Sequence, residues 1–292
     1  MRATDAPPRL RWALVASFAF VCACTSKSKP IEAAAPQTVD IPPGDPSRPL
    51  SPQTQILLVA GGTDVANFAE EVVAQRRHWH ALGYTDDQIA CYWARPAAEA
   101  YEADIEQYQR LMPDIAECYP ARSGLLLAHL QQLANKPPPW LYIYITSHGR
   151  ATMLPKTIDP IGLEPAEARL LDQHFIQMGS DPGEGADPRA VVEGYRNGVP
   201  EASLMLTPTS LADALRAFPA ATAKYVMLQA CHGGGFISVD DPEDRVARLL
   251  GVPNLVAIAA ARHDRPSFGC EPGSTMTYFG EIFFRLLSEQ FP

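Results

Sequence analysis

Four short runs constrain this chain more than anything else in it: QILLVAGG at 55–62, LYIYIT at 141–146, KYVMLQA at 224–230 and NLVAIAA at 254–260. Each has the length of a strand and few of the alternating polar residues that mark a strand with one wet face. A further strand, at about 88–93, follows the turn in TDDQIACYW. Helical stretches lie between the runs. In Ala66 to Leu82, Phe68, Val72, Val73 and Trp79 recur with helical spacing, and Ala97 to Leu111 and Ser123 to Ala134 also read as helices. ATMLP reads as a short hairpin arm, and TPTSLADALRAF begins a helix with Ser210 as its predicted N-cap. Ser274 to Glu289 closes the domain as a helix. Apolar strands alternating with helices predict an α/β fold with a parallel sheet covered on both faces. In such sheets functional groups collect just beyond the carboxyl ends of the strands.

Length and composition set outer bounds. A chain of 292 residues, 47% hydrophobic, has ample material for one large domain or two small ones. A net charge of −9 without basic blocks argues against nucleic acid as a partner. The N-terminus stands apart. Arg2, Arg9 and Arg11 precede an apolar run from Trp12 to Ala23, which matches the core of a signal peptide and is short for a membrane span. The run ends in VCAC, which resembles a bacterial lipobox with Cys24 as the lipidated residue. Residues 1–23 are thus expected to be a signal peptide. Residues 24–52, rich in proline, are expected to be a lipidated tether. The remainder, 53–292, is the folded domain. This organisation predicts a protein of the bacterial cell envelope, anchored in a membrane by lipid and facing the periplasm.

Two strand exits carry unusual chemistry. LYIYIT runs straight into Ser147, His148 and Gly149, and YVMLQA runs into Cys231 followed by HGGGF. A lone cysteine at a strand end is usually a small buried hydrophobe, and a lone histidine a satisfied loop residue. Together they offer what a nucleophilic thiol requires: exposure, a proton-transfer group, and glycine amides free to face an oxyanion. His232 is a poorer base than His148, because adjacent residues leaving a strand point apart. A metal site from Cys231, His232 and His148 lacks the usual ligand spacing, and the body of the chain has no CxxC, so no metal is predicted. Outside the N-terminal segment stand Cys91, Cys118, Cys231 and Cys270. At most one disulfide is expected among them, with the pairing open.

SHG after one strand and QAC after the next resemble the caspase and legumain group of cysteine peptidases. The closer match is to legumain-type enzymes. TDDQI at 85–89 resembles their PDEQI-like turn. AIAAARHDRPSFGC followed by STMTYFGEIFF resembles their run of strand, Ala-Ala, a loop ending in Tyr-Ala-Cys, and Thr-Tyr-Leu-Gly-Asp-Trp. The likeness spans about 55–155 and 203–285. It implies a three-layer αβα sandwich on a mostly parallel sheet of about six strands. It also implies a cysteine endopeptidase acting on a peptide or protein through a thioester, with no cofactor. Cys231 would be the nucleophile and His148 the proton donor, and the backbone N–H groups of Gly149 and Cys231 would hold the oxyanion. The same dyad would serve a transpeptidase, and the same fold a non-catalytic binding lipoprotein.

The chain departs from the legumain pattern around the substrate pocket. Ser147 stands where those enzymes carry Asp, and Gln229 where they carry Glu. No Arg stands near Asn67, where theirs falls. Specificity for asparagine is therefore not carried over. Asp264 and Glu271, in the loop expected to wall the pocket, would favour a basic side chain if either pointed inward; otherwise they are solvated loop acids. Between the two catalytic strand ends lies an insertion at about 158–202, longer than a crossover needs. Ala166 to Met178 within it reads as helix and DPGEGADP as an exposed loop. A calcium loop from Asp181, Glu184 and Asp187 lacks EF-hand spacing. Beside the site, the insertion would serve as a lid, an exosite, an inhibitory flap or a plain surface excursion.

Overall fold

The structure, a computed structural model, describes residues 53–99, 101, 105–154, 162–181, 187–240, 246–271 and 273–290. The expected signal peptide, Cys24, the tether and Glu184 lie outside these residues. Among the described residues no helix is long and apolar enough to cross a membrane.

Three of the four apolar runs form the centre of a six-stranded sheet, and the fourth, NLVAIAA, forms one edge, with Val256 and Ile258 exposed. The sheet's strands are β1 (Thr54–Ala60), β2 (Ile89–Trp93), β3 (Tyr119–Pro120), β4 (Trp140–Thr146), β7 (Ala223–Gln229) and β8 (Leu255–Ala259). They lie in the order β3-β2-β1-β4-β7-β8, and every pairing is parallel. The α/β class and the layered sheet agree with the sequence reading. The sixth strand, β3, has two residues, one of them a proline, and gives no periodic signal of its own. It is held beside Trp93, whose carbonyl accepts from the Ala121 N–H at 2.9 Å.

Alternation along the strands divides the core in two. Leu57, Val59, Ile143, Ile145, Val226 and Leu228 face one side. There they meet α3 (Ser123–Asn135) and α7 (Pro208–Arg216) through Leu126, Leu130, Leu211 and Leu215. Ile56, Leu58, Tyr142, Tyr144 and Met227 face the other. That side is covered by α1 (Asn67–Ala81), α2 (Ile105–Ile115) and α8 (Tyr278–Gln290). The two buried strand tyrosines are satisfied by polar residues on the inner face of α1. Tyr144 donates to Glu71 Oε2 and Tyr142 to Gln75 Oε1, both at 2.7 Å. One disulfide, Cys91–Cys118, joins β2 to the turn before β3 among the described residues.

Several element boundaries differ from the sequence reading. The helix expected over Ala97–Leu111 forms over Ile105–Ile115. Burial of Leu111 and Ile115, four apart on one face, carries it past Pro113 in its last turn. Ser210 is not the N-cap of α7. Thr207 is, with Pro208 at the first helical position and Ser210 at the third, in a reciprocal capping box. The helix expected over Ala166–Met178 stops early. α4 covers Pro165–Leu171, and Phe175–Ile176 then forms β6. Its antiparallel partner is β5 (Gly149–Arg150), so Gly149 and Arg150 rather than ATMLP supply the short ribbon. The insertion continues through α5 (Pro188–Arg196) and α6 (Glu201–Leu204). Phe175, Leu170, Leu171, Val191, Val192 and Leu204 give it a small core of its own.

Residues 177–181 of the insertion form a strap along the carboxyl edge of the sheet. The Gln177 N–H donates to His148 O at 2.9 Å, Gly179 N–H to Gly61 O at 2.8 Å, and Ser180 N–H to Ala121 O at 3.1 Å. The Ser180 hydroxyl donates to Ala94 O at 3.0 Å. The strap thereby touches the exits of β4, β1, β2 and β3 in their spatial order. It ends at Asp181, which accepts from the Ser123 N–H at 2.9 Å and caps α3.

Candidate active site

β4 and β7 are neighbours in register from Trp140↔Ala223 to Thr146↔Gln229. The ladder gains one more bond, from the Ser147 N–H to Gln229 O at 3.0 Å. His148 and Cys231 therefore leave adjacent strands at the same level, two residues beyond the last pair. Strands in a sheet are about 4.8 Å apart. Continued alternation sends both side chains toward the face of Tyr144 and Met227. Gly149 locks the two exits together: a Cβ there would run into the Cys231 carbonyl oxygen, so only glycine permits this approach.

The third strand of the group adds a residue that the motifs did not indicate. β1 pairs with the other edge of β4, and Asp64 lies in the turn that follows it. Asp64 Oδ1 is 2.7 Å from His148 Nε2. The hydrogen bond to the imidazole holds the Asp64 carboxyl below the usual carboxylate range, against the opposing effect of burial. With Nε2 turned to Asp64, Nδ1 is the ring nitrogen left to serve other groups. The ring is further fixed by Phe68 of α1, which meets it edge-on at 5.1 Å between centroids. The sequence did hold a signal for Asp64. It is an acid just past a Gly pair at the exit of a buried strand, the region where parallel sheets gather functional groups.

The thiol of Cys231 is partly exposed, and its sulfur accepts from the Ser267 N–H at 3.2 Å. His232 is turned elsewhere. It takes a left-handed conformation (φ 58°), and its Nδ1 lies 2.9 Å from His263 O. The glycines after it do not present free amides, contrary to the sequence reading. Gly233–Phe236 is a 3-10 turn, and the amides of Gly233, Gly234 and Gly235 donate to Ala230, Ala261 and His232 carbonyls at 3.2, 2.8 and 2.9 Å. Their smallness serves packing: a Cβ on Gly235 would collide with the His174 ring. The Cys231 N–H, by contrast, meets no backbone carbonyl among the described residues.

The expected pocket residues separate into two groups. Gln229 and Asn67 come together with the loop after β8. Asn67 Nδ2 donates to Gly269 O at 2.6 Å, and Gln229 Nε2 lies 3.9 Å from the sulfur of Cys270. Ser147, Asp264 and Glu271 do not join them. Ser147 points to the opposite face, where its hydroxyl donates to Gln177 O at 2.7 Å, as alternation from His148 requires. Asp264 forms two 3.0 Å bonds with Arg262 in the open, and Glu271 is exposed. Burial pushes the Cys270 thiol up to about 11, with the nearby Cys231 adding to the shift. Asp181 and Asp187, named for a calcium loop, cap α3 and α5. Among the described residues no group of three or more His, Cys, Asp or Glu side chains is placed to hold a metal.

Compared with the known protein families and with curated proteins, the chain matches none. Among solved structures it is similar to protein GSU0716 from Geobacter sulfurreducens, at 10% identity and a TM-score of 0.46, over 81% of this chain and 82% of that one. It is also similar to caspase-1 from Spodoptera frugiperda, at 10% identity and a TM-score of 0.35, over 81% of this chain and 69% of that one. Neither likeness bears on the chemistry, which rests on the residues themselves.

Proposed function

We propose that the chain is a cysteine endopeptidase of the legumain type, with Cys231 as nucleophile and His148 as its acid and base. One observation carries the reading: Asp64, His148 and Cys231 stand in that order on the exits of three adjacent parallel strands. His148 takes the thiol proton as the sulfur of Cys231 attacks the carbonyl carbon of the scissile peptide bond, and the C=O electron pair moves onto oxygen. The N–H groups of Cys231 and Gly149 hold that oxyanion. His148 protonates the departing amine, and the C–N bond breaks to leave a thioester. His148 then takes a proton from water, whose oxygen displaces the sulfur and releases the acid, and returns that proton to the departing thiolate. Asp64 orients the ring and stabilises the imidazolium, and the route needs neither metal nor organic cofactor. The substrate is a peptide or protein. The N-terminal sequence supports export to the bacterial envelope, with lipid on Cys24 holding the domain at the membrane on the periplasmic side.

The test is intact-mass analysis of the full-length chain after exposure to peptidyl acyloxymethyl ketones, with the adduct mapped. Wild type should gain one adduct, on Cys231. Cys231→Ala should gain none, and His148→Ala should react at least about 100-fold more slowly. An adduct at any other residue, or none while Cys231 titrates as a free thiol, would refute the proposal.

A further inference from the structure

Two described cysteines remain free beside the Cys91–Cys118 bridge, and one loop reaches both of them. Cys231 leaves β7, and Cys270 lies in the loop after β8, the strand next to it. The Ser267 N–H of that loop donates to Cys231 Sγ at 3.2 Å. Three residues further on, Cys270 Sγ lies 3.9 Å from Gln229 Nε2. Gln229 and Cys231 are two residues apart, about 6.6 Å along an extended chain, and alternation points both to the same face. Both cysteines are partly exposed. A disulfide needs its Cα atoms within about 7 Å of each other. The 3.9 Å approach to Gln229 is a weak hold on Cys270. Gly273, just beyond it in left-handed backbone (φ 88°), has open space where a side chain would stand.

We propose that Cys231 and Cys270 form a second, reversible disulfide and that, resting on the peptidase reading above, this bridge shuts the active site under oxidising conditions. The oxidant is a low-molecular-weight disulfide. The Cys231 thiolate attacks one of its sulfurs, the S–S bond breaks, and one small thiolate leaves and takes up a proton. Cys270 then gives its proton to water and attacks the Cys231 sulfur. The second small thiolate leaves and takes up that proton. Two protein thiols are oxidised, and one small disulfide is reduced to two thiols. The order of the steps follows from the surroundings. Burial holds the Cys270 thiol up at about 11, so it stays protonated and does not attack first. The charge of Cys231 adds to that shift, and capping Cys231 removes the charge. The finished bridge ties up the sulfur that must meet the substrate carbonyl. It also spares the nucleophile, because thiols reverse a disulfide but not oxidation to the sulfinic stage.

The experiment treats the full-length chain, with Cys231 and Cys270 free, with oxidised glutathione and follows intact mass and peptides mapped without reduction. At these two positions wild type should lose two hydrogens and yield a Cys231–Cys270 cross-linked peptide. Cys270→Ser should stop one step earlier, with one glutathione held on Cys231. In Cys231→Ala, Cys270 should stay a free thiol. The bridged protein should lose all reaction with the peptidyl ketone that labels the reduced form. Dithiothreitol should restore labelling while the buried Cys91–Cys118 bridge persists. Glutathione that remains on Cys231 of wild type would overturn the proposal. So would Cys270 in Cys231→Ala taking glutathione as fast as Cys231 does in Cys270→Ser, or a bridged form that still takes the ketone. The two readings fail separately. A ketone adduct on Cys231 without a bridge under glutathione sinks this inference alone. A bridge in a protein whose reduced form takes no ketone sinks the peptidase reading and the switch with it, and leaves only the cross-link.

Discussion

Replacing Asp64 by Asn isolates the contribution of the carboxylate, because the side chain keeps its shape and loses only its charge. A hydrogen bond in which both partners carry charge is worth about 1.5–3 kcal/mol. Here the Asp64 side chain is 62% exposed and that of His148 27%, so water and salt screen part of the attraction. After that discount about 1–2 kcal/mol remains, and the loss appears where the imidazolium forms, in the transition state. The expected fall in kcat/KM is about 5- to 30-fold. Asp64 positions the histidine and does not bind the peptide in this mechanism, so kcat should carry the loss while KM holds. Hydrolysis of a fluorogenic peptide chosen from the ketone series gives both parameters, and 1 M salt should narrow the gap between wild type and variant. The pH dependence has a defined sign. The Asp64 carboxyl is held below its usual range, so its contribution is complete above about pH 4 and fades as pH falls through the lowered value. A variant within twofold of wild type, or one that changes KM alone, would refute the role assigned to Asp64.

Two further outcomes follow from the fold. The Cys91–Cys118 bridge closes a loop with a sequence separation of 27, which corresponds to about 3.5 kcal/mol of chain entropy. A Cys91→Ala/Cys118→Ala double variant should melt roughly 7–14 °C lower, and a shift under about 2 °C would show that the bridge adds little. Burial pushes the Asp181 carboxyl up to about 7, although Ser123 donors favour its charged form. The folded state therefore holds a proton that the unfolded state releases near pH 4, so this residue's contribution falls as pH rises from about 4 to about 7 and is flat above. Urea unfolding of wild type and Asp181→Asn at intervals across that range should differ by this slope, and parallel curves would refute it.

What the sequence revealed depends on how far apart the cooperating residues lie. LYIYIT and KYVMLQA are local signals, and their apolar character alone places them in the middle of a sheet. Their side-by-side pairing, which brings His148 to Cys231, follows from the expectation that functional groups gather at strand exits. Asp64 was missed because its role exists only across the β1–β4 pairing. The glycines after Cys231 were misassigned for a related reason. An amide's availability depends on which carbonyl lies opposite, and Ala261 comes from 27 residues downstream. β3 escaped because two residues cannot establish a period. Thr207 escaped as a cap because Ser210, three residues on, reads equally well until the turn is built.

The strap bears on how this chain can change over generations. Its bonds reach His148, Gly61, Ala94 and Ala121, and the Ser147 hydroxyl returns one to Gln177. A deletion that removed the whole insertion would strip partners from four strand exits and from the N-terminus of α3. Among the described residues α5 has no such ties to the sheet edge in these bonds. Lineages carrying this arrangement should therefore vary in length around 182–198 and keep the spacing from Phe175 to Asp181 constant. The outer part of the insertion is open to novelty, while its inner hem is inherited together with the sheet edge it borders.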